Sequence, residues 1–378
     1  MQGLPIQTGE DTLSSTKYLS ELTSTPTAAV PSSMYFLRSP FLVWKSCVDS
    51  DPGSGTSAGA GVVTATMTTT TTGPPMVDLE QKAQAIVGDR TLFANVSQGA
   101  VNMCTSMAFA QAYTLKFCLQ STPAQFKSAA AKVPQLSAVF AYYFQRVEEC
   151  KVSGVCPCTQ CAQINSCTDK CNPPCVDCGS YLLSAATVFS NGVCLSAAWP
   201  YSKIPADMNT LPDANARRNA LAFRVTGLTC VTVGKGLPAS VVAALTMSDP
   251  VVLFVNLTPT QVRWMTAQQL GSSEPPVMPA FTVRDGGASG TTVGHAFMID
   301  GFDRSRQVFL ARNNFGLSWG ANGRFLVPVA TLAAEGQVHS AVQMSAVCGP
   351  RPEDVSPKVS SDKSLCAPPV HVHTPASA

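Results

Sequence analysis

The sequence predicts an α+β fold in which a helical first half and a β-rich second half flank a cleft. Segments with apolar or small residues at three- and four-residue steps dominate the first half of the folded region. Apolar or alternating runs, split by Gly and Asp turns, dominate the second half. Helices that come first and strands that follow indicate α+β, with the cleft between the two halves.

The composition favours a largely globular chain. Its 378 residues are 45% hydrophobic and only 13% charged, which is enough apolar material for a sizeable core. The net charge is +2 and no basic stripe stands out, so we expect no nucleic-acid partner. The most apolar stretch, residues 241–257, is interrupted by Asp249 and Pro250, so we expect no membrane span. The N-terminal residues lack a charged segment followed by an apolar one, so we expect no signal peptide.

The chain divides into three predicted regions. Residues 1–75 are predicted to be a flexible N-terminal arm that ends in a low-complexity linker at 51–75. Residues 76–348 are predicted to form the folded domain, with a Cys-rich insertion at about 150–180. Residues 349–378, rich in Pro, Ser, Lys and Asp, are predicted to be a disordered tail.

Three helices and four strands are predicted within the folded domain. The helices have apolar or small residues at helical spacing, and the third is ended by Asn191-Gly192. They span residues 102–120, 136–149 and 181–193. The strands are apolar or alternating runs at residues 249–257, 294–303, 307–315 and 323–329.

Cys104 has the sequence context of an activated thiol. It lies at the predicted N-terminus of the first helix, where unpaired backbone N–H groups favour the thiolate. Gln98, six residues upstream on a Gly-containing loop, can donate to an oxyanion together with the backbone N–H of Cys104. A lone cysteine is more often a small buried apolar residue, so this interpretation requires partners for the thiol.

His295 and Asn313 supply those partners. Of the four histidines, His295 is the one that begins a predicted core strand, and a thiol needs such a base to become a nucleophile near neutral pH. Asn313 follows 18 residues later, at the end of the next predicted strand, where it can orient the histidine ring. A single histidine is more often a hydrogen-bonded structural residue, so the inference depends on the combination.

With these residues identified, the sequence resembles the papain-like cysteine peptidases of the cathepsin type. The matching motifs are Gln98-Gly99 before Cys104, then Gly294-His295-Ala296, and then Asn313-Asn314-Phe315-Gly316 with Ser318-Trp319-Gly320. Residues 136–146 and 191–201 resemble segments of bacterial and large-DNA-virus members, and residues 76–81 resemble the start of the mature domain. The resemblance covers about residues 76–335, and its motifs are specific in combination and order.

The resemblance implies a papain-like two-lobed fold, with a helical left lobe and a β-rich right lobe on either side of an active-site cleft. It implies that Cys104 is the nucleophile, that His295 is the base and then the acid, and that Asn313 orients the histidine. Gln98 would complete the oxyanion hole. Trp319 would shield the hydrogen bond between His295 and Asn313 from water.

Four positions depart from the family pattern. Asn102 and Met103 replace a small Gly-Ser pair before the nucleophile, and Thr105 replaces a Trp after it. We expect the two larger residues to narrow the floor of the cleft. Phe315 replaces a second Trp and can still supply apolar packing in support of the site.

A cluster of cysteines marks the insertion and has three interpretations. Its members are Cys156, Cys158, Cys161, Cys167, Cys171, Cys175 and Cys178. The first is a structural zinc site, because the C-x-x-C pairs have the spacing of zinc ligands. The second is a set of disulfides that cross-link the insertion. The third is that the cysteines are free thiols. The family resemblance favours disulfides, for Cys178 and Cys194 in particular. No metal is assigned to the candidate catalytic site.

These features predict a cysteine endopeptidase, a hydrolase that cleaves a polypeptide substrate through a thioester acyl-enzyme and requires no cofactor. The alternative is a catalytically weak or inactive structural or binding protein on the same fold, associated with a larger assembly such as a virus particle. A thiol transferase or ligase is a third alternative. A Met103 or Asn102 side chain that fills the cleft would favour the inactive protein. We expect an intracellular or virion-associated location.

Overall fold

The computed structural model describes residues 75–153, 179–201, 208, 210–267, 273–281 and 293–359. Within these residues, long helices gather in the N-terminal part and most strands in the C-terminal part, which confirms the predicted α+β class. The predicted N-terminal arm and all seven cysteines of the predicted cluster fall outside the described residues, so their organisation stays a prediction.

The predicted helices form close to their expected positions. The α-helices of the described residues are α1 (Leu79–Val87), α2 (Cys104–Gln120), α3 (Ala138–Ser153), α4 (Leu182–Asn191), α5 (Ala214–Ala220), α6 (Leu237–Thr246), α7 (Pro259–Ala267) and α8 (Val329–Ala333). Helix α1 begins after Asp78, whose side chain accepts a hydrogen bond from the backbone N–H of Gln81 and so caps the first turn. In the described part of the chain, none of the helices is both long and apolar enough to cross a bilayer.

The described strands form one antiparallel sheet. They are β1 (Met76–Asp78), β2 (Arg224–Cys230), β3 (Val251–Leu257), β4 (Val293–Asp303), β5 (Val308–Arg312), β6 (Arg324–Pro328) and β7 (Val338–Cys348). Their order across the sheet is β2-β7-β3-β4-β5-β6, and the short β1 pairs with the end of β4. The strand that begins near His295 therefore lies in the middle of the sheet, and the strand that ends before Asn313 is its neighbour.

Helix α2 is held in the core along most of its length. It packs against β4 and β7 of the sheet and against helices α3 and α4. Phe109 and Tyr113 of this helix are fully buried, as is Phe297 of β4. Complete burial of one such ring contributes about 2–3 kcal/mol relative to exposure. The packing fixes the position of α2, and therefore of Cys104 at its start.

The folded region extends beyond the predicted boundary at residue 348. Strand β7 was not predicted, because its apolar residues are small and alternate only in part. After it, Val355 and Val359 are buried in the core, and the side chain of Asn219 donates to the carbonyl of Ser356 at 3.0 Å. The predicted boundary at residue 348 is therefore corrected, because the chain packs against the domain at least to residue 359, and the predicted disorder of residues 360–378 lies outside the described residues.

Candidate active site

His295 and Asn313 meet where two neighbouring strands end. The Nε2 atom of His295 lies 2.9 Å from the Oδ1 atom of Asn313, at hydrogen-bond distance. His295 is the third residue of β4 and Asn313 directly follows β5, which pairs with β4 in the sheet. Antiparallel pairing thus brings together two side chains that are 18 residues apart, and both are buried.

The surroundings of Asn313 determine which atom of the histidine carries the proton. Its Oδ1 also accepts a hydrogen bond of 2.8 Å from the backbone N–H of Asn314, and a backbone N–H can only donate. The amide oxygen is therefore the atom that faces His295. Because this oxygen can only accept, Nε2 of the ring carries the hydrogen and Nδ1 keeps its lone pair.

The environment of His295 keeps the imidazole neutral. Burial lowers the pKa of His295 to about 4, although the hydrogen bond to Asn313 acts in the opposite direction. The ring of Phe315 lies 5.7 Å from the imidazole and adds apolar surface to one side of it. The neutral ring keeps a lone pair on Nδ1 that can accept a proton, and its lowered pKa makes it a weaker base than an exposed histidine.

Cys104 is the first residue of α2, as the sequence predicted. Its thiol is buried and takes no part in a disulfide. The preceding residue, Met103, is the N-cap and its side chain makes no capping hydrogen bond. The thiol therefore lies at the positive end of the helix, which favours negative charge at this position.

Asn314 joins the segment that carries the thiol to the strand that carries the histidine. Its side-chain Nδ2 donates to the carbonyl oxygen of Cys104 at 3.1 Å and to that of Ala296 at 2.6 Å. The residue is fully buried. One carboxamide thus bridges the start of α2, in the helical lobe, and β4, in the sheet. Asn314 was not predicted as a site residue, because only the fold shows which carbonyls it reaches.

Gln98 lies on the loop that precedes α2 and is buried. Its backbone N–H donates to the carbonyl of Asn314 at 2.8 Å, and its own carbonyl accepts from the Tyr201 hydroxyl at 2.6 Å. Its side-chain Nε2 donates to the carbonyl of Val101 at 3.2 Å, which uses one of the two amide hydrogens. The structure therefore fixes this loop against the segment that carries Asn313.

Phe315 and Trp319 form an aromatic layer beside the histidine. The two rings meet edge to face with centroids 5.9 Å apart, and Phe315 is the one that contacts His295. The indole N–H of Trp319 donates to the carbonyl of Met265 at 2.9 Å, which anchors the buried ring. Phe315 thus supports the imidazole directly, and Trp319 supports Phe315.

Comparison with solved structures identifies proteins of similar architecture. Xylellain, a cysteine protease from Xylella fastidiosa, aligns with a TM-score of 0.51 and 21% identity, over 72% of this chain and 86% of that chain. The bromelain protease from Ananas comosus has a TM-score of 0.42 and 15% identity, over 71% of this chain and 97% of that chain. Digestive procathepsin L 3 from the larval midgut of Tenebrio molitor has a TM-score of 0.43 and 13% identity, over 71% of this chain and 69% of that chain. No family model and no curated protein matches the chain.

The chain has the papain-like fold. The identity to xylellain is low, so this similarity establishes the two-lobed α+β architecture and not the activity. Within the papain-like fold, Cys104 begins the long helix of the helical lobe. His295 and Asn313 lie at neighbouring strand ends of the sheet.

Two of the unusual residues around Cys104 are fully buried among side chains of the helical lobe. Met103 is fully buried in an apolar cluster of the helical lobe that includes Met107 and Tyr142. Thr105 is fully buried and shares the side-chain oxygen of Gln145 with other hydroxyl groups. The packing of Met103 against residues of α2 and α3 argues against the expectation that its side chain narrows the floor of the cleft. Asn102 is exposed.

One disulfide that the resemblance favoured does not form. Cys194 is a buried thiol outside any disulfide, and burial raises its pKa well above the ordinary value. It packs in the core as a small apolar side chain. Cys118 on α2 is also a buried thiol, and burial raises its pKa to about 12.

Proposed function

We propose that the chain is a cysteine peptidase that hydrolyses peptide bonds with Cys104 as nucleophile, His295 as base and acid, and Asn313 as orienting residue. The observation that carries this proposal is the buried hydrogen bond between His295 Nε2 and Asn313 Oδ1. It supports a neutral imidazole with an available Nδ1 lone pair, on the strand that Asn314 ties to the backbone of Cys104. The papain-like fold is consistent with this arrangement.

In the first half of the proposed reaction, the thiol proton of Cys104 passes to Nδ1 of His295. The thiolate sulfur then attacks the carbonyl carbon of the scissile peptide, and the carbonyl oxygen becomes an oxyanion. The second amide hydrogen of Gln98 and the backbone N–H of Cys104 donate to that oxyanion. The C–N bond breaks as the imidazolium gives its proton to the leaving amine, and a thioester remains on Cys104.

In the second half, water replaces the amine. His295 takes a proton from the water, and the hydroxide oxygen attacks the thioester carbon. The C–S bond breaks, the carboxylic acid product leaves, and the proton on His295 returns to the sulfur. Asn313 keeps the ring in one orientation through both transfers, since its oxygen accepts the Nε2 hydrogen throughout.

The inward position of Met103 favours the peptidase over the inactive structural or binding protein. A Met103 or Asn102 side chain that filled the cleft beside the thiol would have favoured the inactive alternative. Met103 is instead part of the apolar core of the helical lobe, and Thr105 stabilises the first turn of α2 through Gln145. Packing within the helical lobe therefore accounts for two of the four departures from the family pattern, Met103 and Thr105.

The same proposal includes the substrate, the location of the protein and the state of the cysteines in the Cys-rich insertion. The substrate is a polypeptide, and catalysis needs no cofactor. We retain the proposals of relatedness to bacterial and large-DNA-virus members and of an intracellular or virion-associated location. Disulfides or a structural zinc ion in the Cys-rich insertion remain the alternatives for its seven cysteines.

The direct test of this proposal is hydrolysis of a fluorogenic peptide library by the full chain. We expect turnover that is abolished in Cys104→Ala and preserved in Cys118→Ala, which removes another buried thiol of the same helix. Turnover that survives in Cys104→Ala, or its absence from the correctly folded wild-type chain with every peptide, would overturn the assignment.

A further inference from the structure

Two arginines lie side by side behind the candidate active site. Arg312 ends β5 and Arg324 begins β6, and the two are directly opposite each other in the antiparallel pair. The side chain of Arg312 is only 2% exposed and that of Arg324 only 14%. Like charges in opposed positions repel, and burial intensifies the repulsion. Such a pair is stable only if acidic groups lie against it.

Two of the compensating acids come from the start of the described chain. Glu80, in the first turn of α1, places Oε2 at 2.6 Å from Nη2 of Arg312 and at 3.1 Å from Nε of Arg324. Asp78, at the end of β1, forms a two-pronged pair with Arg324 at 2.9 and 3.1 Å. Asp300 of β4 completes the network with an oxygen at 2.9 Å from Arg324.

Arg312 connects this network to the loop that carries Asn313. Its Nη1 donates to the carbonyl of Asn322 at 2.8 Å, and the next residue, Asn313, donates its backbone N–H to the carbonyl of Gly323 at 2.8 Å. A Cβ atom at Gly323 would lie 2.9 Å from Nη1 of Arg312, so the guanidinium occupies the space beside this turn. The guanidinium also stacks on the ring of Phe93, 4.1 Å from its centroid.

We propose that Glu80 and Arg312 are positioning residues for the reaction, because they hold the two ends of the loop from Asn313 to Gly323 and so fix Asn313 against His295. This inference deepens the proposed function and rests on it. Glu80, in the first turn of α1, is then required for the geometry of the site, although its carboxylate touches no reacting atom.

Loss of the Glu80 carboxylate would leave the buried charge of Arg312 without its partner. Without the carboxylate of Glu80, the guanidinium of Arg312 keeps its charge in a buried place and turns towards other acceptors or water. Its hydrogen bond to Asn322 then weakens, and the end of the loop opposite Asn313 is released. Small displacements of an orienting group reduce catalysis strongly while substrate binding is preserved.

Three variants of the full chain test this proposal. Glu80→Gln keeps the side-chain shape and removes the charge. Arg312→Lys keeps the charge but loses the fork that reaches Glu80 and Asn322 together. Asp78→Asn is the matched control within the network, since it weakens only the pairing with Arg324 and keeps an N-cap residue.

Two readouts are compared at a temperature at which circular dichroism shows every variant to be folded. The first is the separation of kcat from KM in peptide hydrolysis. The second is the NMR signal of the Nε2 hydrogen of His295 in histidine-labelled protein, assigned by its loss in His295→Gln. We expect kcat to fall about tenfold or more in Glu80→Gln and Arg312→Lys with KM within about twofold. We expect the Nε2 hydrogen to exchange faster in these two variants and to change little in Asp78→Asn.

A wild-type kcat and an unchanged Nε2 signal in both Glu80→Gln and Arg312→Lys would overturn the positioning role. Equal effects in Asp78→Asn would also overturn it, because they would indicate general loosening of the network. If the wild-type chain hydrolyses no peptide, the proposed function fails, whereas the NMR signal still decides whether Glu80 and Arg312 hold Asn313 against His295.

Discussion

The imidazole of His295 and the carboxamide of Asn313 form a buried hydrogen bond whose proton position is fixed by a third group. The backbone N–H of Asn314 donates to the same Asn313 oxygen that faces the ring, at 2.8 Å. This geometry places the hydrogen on Nε2 of His295 and leaves Nδ1 as a base. The orientation of the ring is therefore built into the fold before any substrate arrives.

The first prediction concerns the orienting residue. Asn313→Ala removes the acceptor of the Nε2 hydrogen, so the ring can rotate or change tautomer, and we expect kcat to fall about 100-fold with little change in KM. Steady-state peptide hydrolysis measures both constants. Asn256→Ala is the control, since its side chain bonds the carbonyl of Gly336 and not the ring of His295. Equal kcat in Asn313→Ala and wild type would contradict the orienting role.

The second prediction concerns the oxyanion hole. Gln98→Ala removes a donor that acts on charge present only in the transition state, and we expect kcat to fall about 10²- to 10³-fold with KM nearly unchanged. Gln111→Ala is the comparison, because its side chain supports only the carbonyl of Asn313 at 3.2 Å and should have a smaller effect. A rise in KM without a loss of kcat in Gln98→Ala would indicate a binding role instead.

The third prediction follows from the depressed pKa of His295. In the unfolded chain the ring titrates near 6.5, whereas burial lowers its pKa to about 4 in the folded protein. Between these values the unfolded state binds a proton that the folded state does not, so the free energy of unfolding decreases as the pH falls from 6.5 to 4. The decrease attributable to this group is about 3 kcal/mol when complete.

Urea unfolding of wild type and His295→Gln at pH 7, 6, 5 and 4 tests this prediction. The stability of the variant relative to wild type should rise as the pH falls, because the variant lacks the buried ring. His339→Gln is the control, since His339 is exposed. Parallel pH profiles for wild type and His295→Gln would contradict a buried neutral imidazole.

The fourth prediction concerns the bridge between the lobes. Asn314→Ala leaves the carbonyl oxygens of Cys104 and Ala296 without this donor, and we expect a loss of about 2–4 kcal/mol in the free energy of unfolding. Asn314→Asp should be worse, because a carboxylate cannot donate to either carbonyl and adds a buried charge. Denaturant unfolding measures the free energy of unfolding of both variants and of wild type. If Asn314→Asp were more stable than Asn314→Ala, that result would contradict the hydrogen-bond pattern.

The fifth prediction tests the inward position of Met103. Met103→Ala should cost about 2–4 kcal/mol in unfolding free energy, because it leaves a cavity in the apolar cluster of the helical lobe. It should not improve kcat/KM, since the side chain does not occupy the cleft. A stable variant with a marked gain in kcat/KM would show that Met103 obstructs substrate.

The sequence was sufficient to predict the fold class and the proximity of His295 and Asn313. In the long helices and the apolar strands, hydrophobic residues recur at the spacing typical of each element. The residue types alone also placed Cys104 at the start of a helix. The pairing of β4 with β5 then brings His295 to Asn313, as a hairpin between adjacent strands would. Local sequence patterns were enough to predict this contact, because His295 and Asn313 lie at the ends of two strands that are neighbours in the sequence.

Contacts between distant elements could not be predicted in this way. The pair between Glu80 and Arg312 joins residues that are 232 positions apart, and no local period signals it. The bridging role of Asn314 depends on which backbone carbonyls come within reach after folding. The disulfide expected for Cys194 was wrong for the same reason, since the three-dimensional packing makes this cysteine a core residue.

The most direct test of the proposed function is selective labelling of Cys104. The full chain is treated with an epoxide or vinyl-sulfone probe for papain-like thiols, and modified cysteines are identified by peptide mass spectrometry. We predict that Cys104 reacts faster than the other fourteen cysteines and that the selectivity disappears in His295→Ala and persists in His339→Ala. Equal labelling of Cys104 in wild type and His295→Ala, or no preference for Cys104 in the folded chain, would contradict an activated nucleophile.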